Sequence, residues 1–268
     1  MSMSLPPIFY HCFKTPLPYT KALVLQEHIH AHQLLSRKTS HHHRDYLLLL
    51  EHRPVYTFGR RQLESSEEIT LEASRLKGLG ADCVSTKRGG ETTYHGPGQV
   101  VGYPLIDLGR TPPPMGIRDY ICRLQKTLEA HLLEAHGIQH IPSEHTGVFL
   151  GPHTKVASIG VQVRHRLTTH GFAMNITEEP LAWFDRVVAC GLTDVKAGCI
   201  ARASSTAPNP SSISVAAELP GLITRFGRVM GRDMVELGVS AEGEVEDAIR
   251  AIERDAVEMD PWPHSYNF

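Results

Sequence analysis

Two β-strands are predicted within KVASIGVQVRHRLTTHGFAMNI, residues 155–176. Residues 156–163 and 169–176 combine apolar, β-branched and small residues in the manner of strands. Lys155 opens the first strand, where partial desolvation would favour its neutral amine. A lysine at the start of a strand is more commonly a solvated edge charge, so this position alone indicates no chemistry.

The sequence on both sides alternates further strands with helices. Strands are predicted at 46–50, 55–58 and 99–108, and helices at 20–35, 67–77, from Ile117 to Gly137 and from about Val215. In these helices Thr20 is predicted as a cap, Gly78 and Gly137 as stops, and Pro220 is tolerated only in a first turn. Strands mixed with helices of this length indicate an α/β or α+β domain with a mixed sheet and surrounding helices.

One catalytic domain is predicted over residues 1–239, followed by a charged helical extension at 240–268. Within it, residues 202–212 are rich in Ser, Pro and Ala and are predicted to be a flexible insertion. The three consecutive histidines at 41–43 lie in a polar stretch, 36–44, that is predicted to be an exposed loop.

Composition excludes several classes of protein. The chain has 268 residues, 41% of them hydrophobic, with a net charge of −2, which argues against sequence-independent binding of nucleic acid. The longest apolar runs, such as residues 47–50, are too short to span a membrane. Five scattered cysteines without a CxxC pair indicate reduced thiols in an intracellular compartment. Residues 1–13 resemble neither a secretory signal nor an Arg-rich transit peptide.

A second segment with potential chemistry is KRGGETTYHGPGQ, residues 87–99. Its four glycines, with hydroxyls and a histidine between them, let backbone N–H groups approach a ligand closely. The segment lacks the GxxxxGK[ST] pattern, so it does not indicate a triphosphate site. Considered alone, it is also consistent with a turn-rich hairpin.

A third segment is ACGL, residues 189–192. A cysteine on a tight turn can act as a nucleophile if a nearby cation stabilises its thiolate, which makes Cys190 a candidate. The commoner fate of a lone cysteine is burial in the core, and this is the expectation for Cys12, Cys83, Cys122 and Cys199.

The chain resembles the LipB-type octanoyltransferases in four segments: the RGGxxTYHGPGQ run at 88–99, KVASIG, HGFAMN and CGL. The resemblance extends in order over residues 46–192, and the sequence departs from the family pattern at 194–212. It implies the fold of the biotin and lipoate protein ligase catalytic domain. By position, Cys190 would hold the acyl group as a thioester, and Lys155 would stabilise the thiolate and transfer protons.

The resemblance also implies which residues bind the acyl substrate, in a pocket expected to be a narrow apolar tunnel. These residues are Arg88, Gly89, Gly90, Glu91, Thr92, Thr93, Tyr94, His95, Ser158, Ile159, Gly160, Gly171, Phe172 and Ala173. No cofactor and no metal are expected.

The implied activity is that of an acyltransferase, a lipoyl(octanoyl) transferase. It would move an octanoyl group from octanoyl-acyl carrier protein to a lysine of lipoyl domains, in 2-oxoacid dehydrogenase complexes and the glycine cleavage H protein. This is the first step of endogenous protein lipoylation, mitochondrial in a eukaryote and cytoplasmic in a bacterium. A positive rim for docking acidic partners could be formed by Arg60, Arg61, Lys87, Arg88, Arg164 and Arg166.

Three other functions remain open at this point. An ATP-dependent lipoate or biotin ligase would need nucleotide contacts and no cysteine nucleophile. A non-catalytic lipoyl- or metal-binding protein would use some of the 17 histidines. A papain-like hydrolase would pair Cys190 with His170, although a lone histidine is more often structural.

Overall fold

The computed structural model describes residues 5–40, 42–60, 66–187, 191, 194–204, 213–240 and 242–259. Within these ranges the strands are β1 Ile8–Cys12, β2 Asp45–Leu50, β3 Val55–Phe58, β4 Asp82–Ser85, β5 Thr93–His95, β6 Gln99–Leu105, β7 Val148–Gly151, β8 Thr154–Arg164, β9 Leu167–Asn175, β10 Lys196–Ala197 and β11 Met234–Glu236. The α-helices are α1 Tyr19–Thr39, α2 Ser66–Gly78, α3 Ile117–His136, α4 Glu179–Phe184, α5 Ile200–Ala203, α6 Val215–Met230 and α7 Glu244–Glu258.

A mixed sheet forms the centre of the molecule, as predicted. Its strands follow the order β10-β8-β9-β6-β2-β1-β11, with β7 paired to β8. The pairs β8–β9, β9–β6 and β6–β2 are antiparallel, whereas β1 is parallel to both β2 and β11. A separate three-stranded sheet, β4-β3-β5, lies beside it.

Both faces of the large sheet are covered by helices. One face packs against α3 and α6 through buried residues that include Leu128 and Phe226. The other packs against α1 and α7 through residues that include Leu25 and Ile249. Because α7 contributes Val245, Ile249 and Ala256 to that core, the helical part of the predicted C-terminal extension packs on the domain.

Four local predictions differ from the structure. The first helix begins after Pro18 without a side-chain cap and continues to Thr39, so Thr20 is not its cap and the polar loop is shorter than predicted. Gly78 is the last residue of α2, and Gly80 carries the positive φ of 94°. The strand predicted at 99–108 ends at Leu105.

The fourth difference concerns Pro220, which lies in the second turn of α6 rather than the first. Ser214 caps this helix by accepting a hydrogen bond from the N–H of Ala217. The fold therefore tolerates a proline inside a helix whose apolar face is buried through Leu222 and Phe226. Gly137, with φ 66°, ends α3 as predicted. Within the part of the chain that the structure describes, no helix is long and apolar enough to cross a membrane.

Candidate active site

The pairing of β8 with β9 brings two of the sequence motifs side by side. The antiparallel register sets Ser158 opposite Ala173 and Gly160 opposite Gly171, with Ile159 opposite Phe172 between them. The six residues predicted from these two motifs therefore form three directly opposed pairs at the centre of the sheet.

The glycine-rich segment packs against the outer edge of this hairpin. Gly89 donates its N–H to the carbonyl oxygen of Val161 at 3.2 Å. The segment also passes close to Gly59, where an added Cβ would lie 2.1 Å from the oxygen of Gly90. Only glycine fits at position 59 without moving the backbone of the loop.

The side chain of Arg88 holds the loop in shape. It is buried, with 6% of its surface exposed. Its Nη2 donates to the carbonyl oxygens of Thr57 and Glu91, each at 2.7 Å, and to Oγ1 of Thr57 at 2.8 Å. The guanidinium thus joins the loop to β3. This corrects the expectation that Arg88 belongs to a solvated positive rim.

Arg164, another member of the predicted rim, pairs with Glu27 at 2.7 Å. Arg60, Lys87 and Arg166 are exposed, and Arg61 lies outside the described residues. A docking rim formed by these residues stays a prediction.

A cavity of about 490 Å³, including its opening to solvent, lies between the loop and the hairpin. It is lined by Tyr19, Arg88, Gly89, Gly90, Glu91, Thr93, His95, Val101, Tyr103, Lys155, Ser158, Ile159, Gly160, His170, Gly171, Phe172 and Ala173. Twelve of the fourteen residues predicted to bind substrate therefore line one cavity, some on the side of the loop and some on the side of the hairpin.

The two exceptions are Thr92 and Tyr94, which are not among the lining residues. Tyr94 is fully buried and stacks on Trp183, with ring centroids 5.2 Å apart. Thr92 is buried as well. Tyr94 packs in the small core beneath the three-stranded sheet, so its ring contributes to folding.

The wall of the cavity is not purely apolar, which corrects the expectation of an apolar tunnel. Imidazole and phenol groups contribute to it: Tyr19, Tyr103, His95 and His170. Behind them His52 contacts the hydroxyl of Tyr103 at 2.6 Å.

These imidazoles are nevertheless uncharged near neutral pH. Burial lowers the pKa of His52 to about 4. Burial, followed by the charges of Arg88 and Arg164, lowers the pKa of His170 to about 3. Burial and the nearby His52 and Arg88 bring the pKa of His95 well below its usual value. The histidines of the wall are therefore neutral, and the other ionisable side chains that line the cavity include Arg88, Glu91 and Lys155.

His95 is oriented by a chain of buried amides. Its Nδ1 lies 2.8 Å from Oε1 of Gln99, and Nε2 of Gln99 donates to Oδ1 of Asn175 at 2.8 Å. Asn175 donates in turn to the carbonyl oxygen of Gly198 at 2.9 Å. This chain connects β6, β9 and the segment after β10, and fixes the ring of His95 in the cavity wall.

Lys155 lies where this cavity meets a second one. The second cavity, of about 350 Å³, shares Lys155, Ser158 and Ala173 with the first. It extends along Asn175 toward Lys196. The Nζ atom of Lys155 lies 5.4 Å from the centroid of the Phe149 ring. The lysine singled out in the sequence therefore borders both spaces.

Cys190 lies outside the described residues, so its distance from Lys155 remains a prediction. The next residue, Gly191, is described and has φ 66°. A Cβ on Gly191 would lie 2.0 Å from Oε2 of Glu91, a residue of the cavity wall. The chain that follows Cys190 thus reaches the rim of the cavity.

The other cysteines were expected in the core, and one is not there. Cys199 is buried, Cys12 and Cys83 are half-buried, and Cys122 is exposed on α3. Cys122 faces away from the side of the helix that buries Leu124 and Leu128. Its expected burial is wrong.

Tyr19, Val101 and Tyr103 line the cavity but were not predicted to do so. Tyr19 begins α1, whereas Val101 and Tyr103 lie on the central strand β6. Residues 101 and 103 are two positions apart on a strand, so their side chains point to the same face of the sheet. This spacing was the one sequence signal that could have grouped them.

The fold belongs to a known class of catalytic domain. Lipoate-protein ligase A bound with ATP superposes on 97% of this chain and 97% of its own, with a TM-score of 0.62 at 15% identity. This likeness shows the fold alone.

Sequence comparison identifies the family. The model of the lipoyl protein ligase A/B catalytic domain matches residues 18–211. The mitochondrial octanoyl-[acyl-carrier-protein]:protein N-octanoyltransferase of Danio rerio is 39% identical over 66% of this chain and 74% of its own. An octanoyltransferase of Caldicellulosiruptor saccharolyticus is 36% identical over 68% of this chain and 74% of its own. The chain belongs to the lipoyl protein ligase A/B family, within the LipB-type octanoyltransferases, a group of acyltransferases.

Proposed function

We propose that this protein transfers an octanoyl group from octanoyl-acyl carrier protein to a lysine of a lipoyl domain, through a thioester on Cys190. The observation that carries the proposal is the position of Lys155 at the junction of two cavities, one of them walled by the predicted substrate-binding residues. From this junction the Lys155 side chain can reach both the Cys190 thiolate and the acceptor amine, which would approach from different sides.

In the first step the Cys190 thiolate attacks the carbonyl carbon of the carrier thioester. A new carbon–sulfur bond forms, the bond to the carrier sulfur breaks, and the Lys155 ammonium donates its proton to the departing thiolate. The exchange converts one thioester into another, so it needs no ATP. Backbone N–H groups of residues 158–160 are candidates for stabilising the oxyanion.

In the second step the neutral amine of the acceptor lysine attacks the acyl-enzyme. The carbon–nitrogen bond forms, the Cys190 thiolate leaves, and the neutral amine of Lys155 accepts the proton lost by the acceptor. Lys155 ends the cycle as an ammonium beside a thiolate, the state in which it began.

The larger cavity is the proposed site of the acyl chain. Its apolar lining includes Val101, Ile159 and Phe172, and its imidazoles are neutral. Each buried methylene is worth about 0.8 kcal/mol, so seven carbons can give a strong preference for chain length. The second cavity would admit the carrier thiol arm and the acceptor lysine in turn.

ATP-dependent ligation is the competing proposal, because lipoate-protein ligase A shares the fold and was solved with ATP bound. A transfer assay separates the two: octanoyl-acyl carrier protein, a lipoyl domain and the enzyme are mixed with no nucleotide. We expect octanoyl-lipoyl domain from the wild type, none from Cys190→Ala, and normal yield from the matched Cys122→Ala control. Product that forms only after ATP is added would favour ligation, whereas product that Cys190→Ala forms without nucleotide would exclude the Cys190 thioester.

The partners and location follow from the same proposal. Lipoyl domains of 2-oxoacid dehydrogenase complexes and the glycine cleavage H protein are the proposed acceptors. A mitochondrial location is proposed if the chain is eukaryotic, as the name of the Danio rerio relative supports, and a cytoplasmic one if it is bacterial.

A further inference from the structure

Three ionisable side chains converge between α3 and α6. Oε2 of Glu218 lies 2.8 Å from Nε2 of His131 and 2.8 Å from Nε2 of His136. One potential ligand atom from each residue lies within 4.8 Å of the other two. None of these residues belongs to the walls of the two cavities at the candidate active site.

The cluster is largely buried. The side chains of His131, Glu218 and His136 are 1%, 8% and 11% exposed, respectively. Within the described part of the chain, Nδ1 of His131 is buried without a hydrogen-bond partner, and the ring packs edge-on against that of His136, with centroids 5.7 Å apart. His136 is the most exposed of the three.

The same carboxylate oxygen of Glu218 faces the Nε2 atoms of both histidines. Glu218 also lies in the first turn of α6, where the helix dipole stabilises negative charge. Arg225 of the same helix is paired with Glu134 at 3.1 Å.

We propose that His131, His136 and Glu218 bind a zinc-class divalent ion that links the end of α3 to the start of α6. Two imidazoles and one carboxylate are ligands that Zn²⁺ accepts, at bond lengths of about 2.0–2.2 Å. Tetrahedral ligands at those lengths are roughly 3.3 Å apart. The present nitrogen–oxygen distances of 2.8 Å would therefore open by about half an ångström, a rotamer-scale movement. Water completes the fourth position.

The ion would strengthen the packing of two helices that already share a core through Leu128 and Phe226. This role is structural and does not depend on the proposed acyl transfer. Mg²⁺ and Ca²⁺ are disfavoured at this site because they prefer sets of oxygen ligands.

The test is a titration of the full-length, metal-free protein with Zn²⁺ in competition with a fluorescent chelator, together with the melting temperature at each Zn²⁺ concentration. We expect one Zn²⁺ per chain and a rise in Tm. His136→Gln should weaken binding at least tenfold and abolish the rise in Tm. Because His131 is buried, His131→Gln can fail to fold, so His136→Gln and Glu218→Gln are the deciding variants.

Two controls separate this site from other histidines. His140→Gln changes a neighbouring histidine that contacts Glu129 at 3.5 Å and lies outside the cluster, and it should bind as the wild type does. A His42→Gln/His43→Gln variant removes two histidines of the consecutive run and should also bind normally. The proposal is overturned if the wild type does not bind Zn²⁺, if His136→Gln binds equally well, or if binding is lost only in the His42/His43 variant.

Discussion

The side chain of Lys155 lies directly over Gly147, where an added Cβ would be 2.5 Å from Cε of the lysine. The ring of Phe149, two residues further along, lies 5.4 Å from the Lys155 amine. Gly147 and β7 therefore set the path by which the amine reaches the junction of the two cavities.

Gly147→Ala should reduce octanoyl transfer more than tenfold by displacing Lys155. The new Cβ would also lie 2.5 Å from the carbonyl oxygen of Ala157, and φ at this position is 134°, so some loss of Tm is expected as well. Gly151→Ala is the matched control, since its nearest non-neighbouring atom is 3.9 Å away, and it should be nearly neutral. The measurement is the steady-state transfer rate of both variants. Wild-type-like transfer by Gly147→Ala would contradict the role of Gly147 in positioning Lys155.

Gly191→Ala should slow acylation of Cys190 more than it impairs folding. It combines the cost of φ 66° with an approach of 2.0 Å to Oε2 of Glu91. Gly137→Ala has the same φ of 66° but no atom within 4 Å, so it isolates the backbone strain, about 1–2 kcal/mol. Both variants should lose Tm, and only Gly191→Ala should lose acylation rate. Equal rates in the two variants would argue against a site at this turn.

Arg88→Lys should loosen the glycine-rich loop. Lysine cannot reproduce the fork that binds Thr57 and Glu91, so carbonyl oxygens are left without donors. We expect a loss of about 2–3 kcal/mol in unfolding free energy and a higher KM for octanoyl-acyl carrier protein. Arg60→Lys, at an exposed neighbouring position, is the control and should change neither quantity. Urea unfolding and initial-rate kinetics measure both effects, and an unchanged KM in Arg88→Lys would contradict the role of the loop.

Acid should destabilise the protein through its buried imidazoles. The pKa of His52 is lowered to about 4 by burial, whereas an unfolded chain protonates histidine near pH 6.5. Its contribution to stability is thus fully present above about pH 6.5 and is lost as the pH falls toward 4. When the pH falls from about 7 to about 5, His52 alone should lower the free energy of unfolding by about 2 kcal/mol.

His52→Gln tests this contribution. The variant can retain contacts to the Leu17 carbonyl and the Tyr103 hydroxyl, so its unfolding free energy should fall less steeply with acid than that of the wild type. Urea unfolding at both pH values measures the slope. Parallel pH dependences for the two proteins would show that His52 is not the source.

Much of the fold could be predicted because local patterns and tertiary packing agree. The long helix from Ile117 and its end at Gly137 follow from apolar periodicity and a left-handed stop. The hairpin of β8 and β9 follows from two strand-like runs. The expectation that Pro220 lies in a first turn is wrong because burial of one face of α6 offsets the cost of a proline inside the helix. The sequence alone does not reveal this burial.

The site was only partly predictable, for a related reason. Motif residues such as Gly160 and Gly171 are identified by the family resemblance, and the sheet register then sets them opposite each other. Tyr19 and Tyr103 lie outside the quoted motifs, so only the three-dimensional packing brings them to the cavity. The same holds for His131 and Glu218, which are 87 residues apart in sequence and in contact in the structure.

The most direct test of acyl transfer through Cys190 is the intact mass of the enzyme after it is mixed with octanoyl-acyl carrier protein without acceptor. One octanoyl group should be found, mapped by peptide analysis to Cys190, and it should disappear when a lipoyl domain is added. Cys122→Ala, which removes an exposed thiol, should still form the adduct, and Lys155→Met should form it far more slowly. An adduct on another residue, or one that a lipoyl domain does not discharge, would contradict the proposed intermediate.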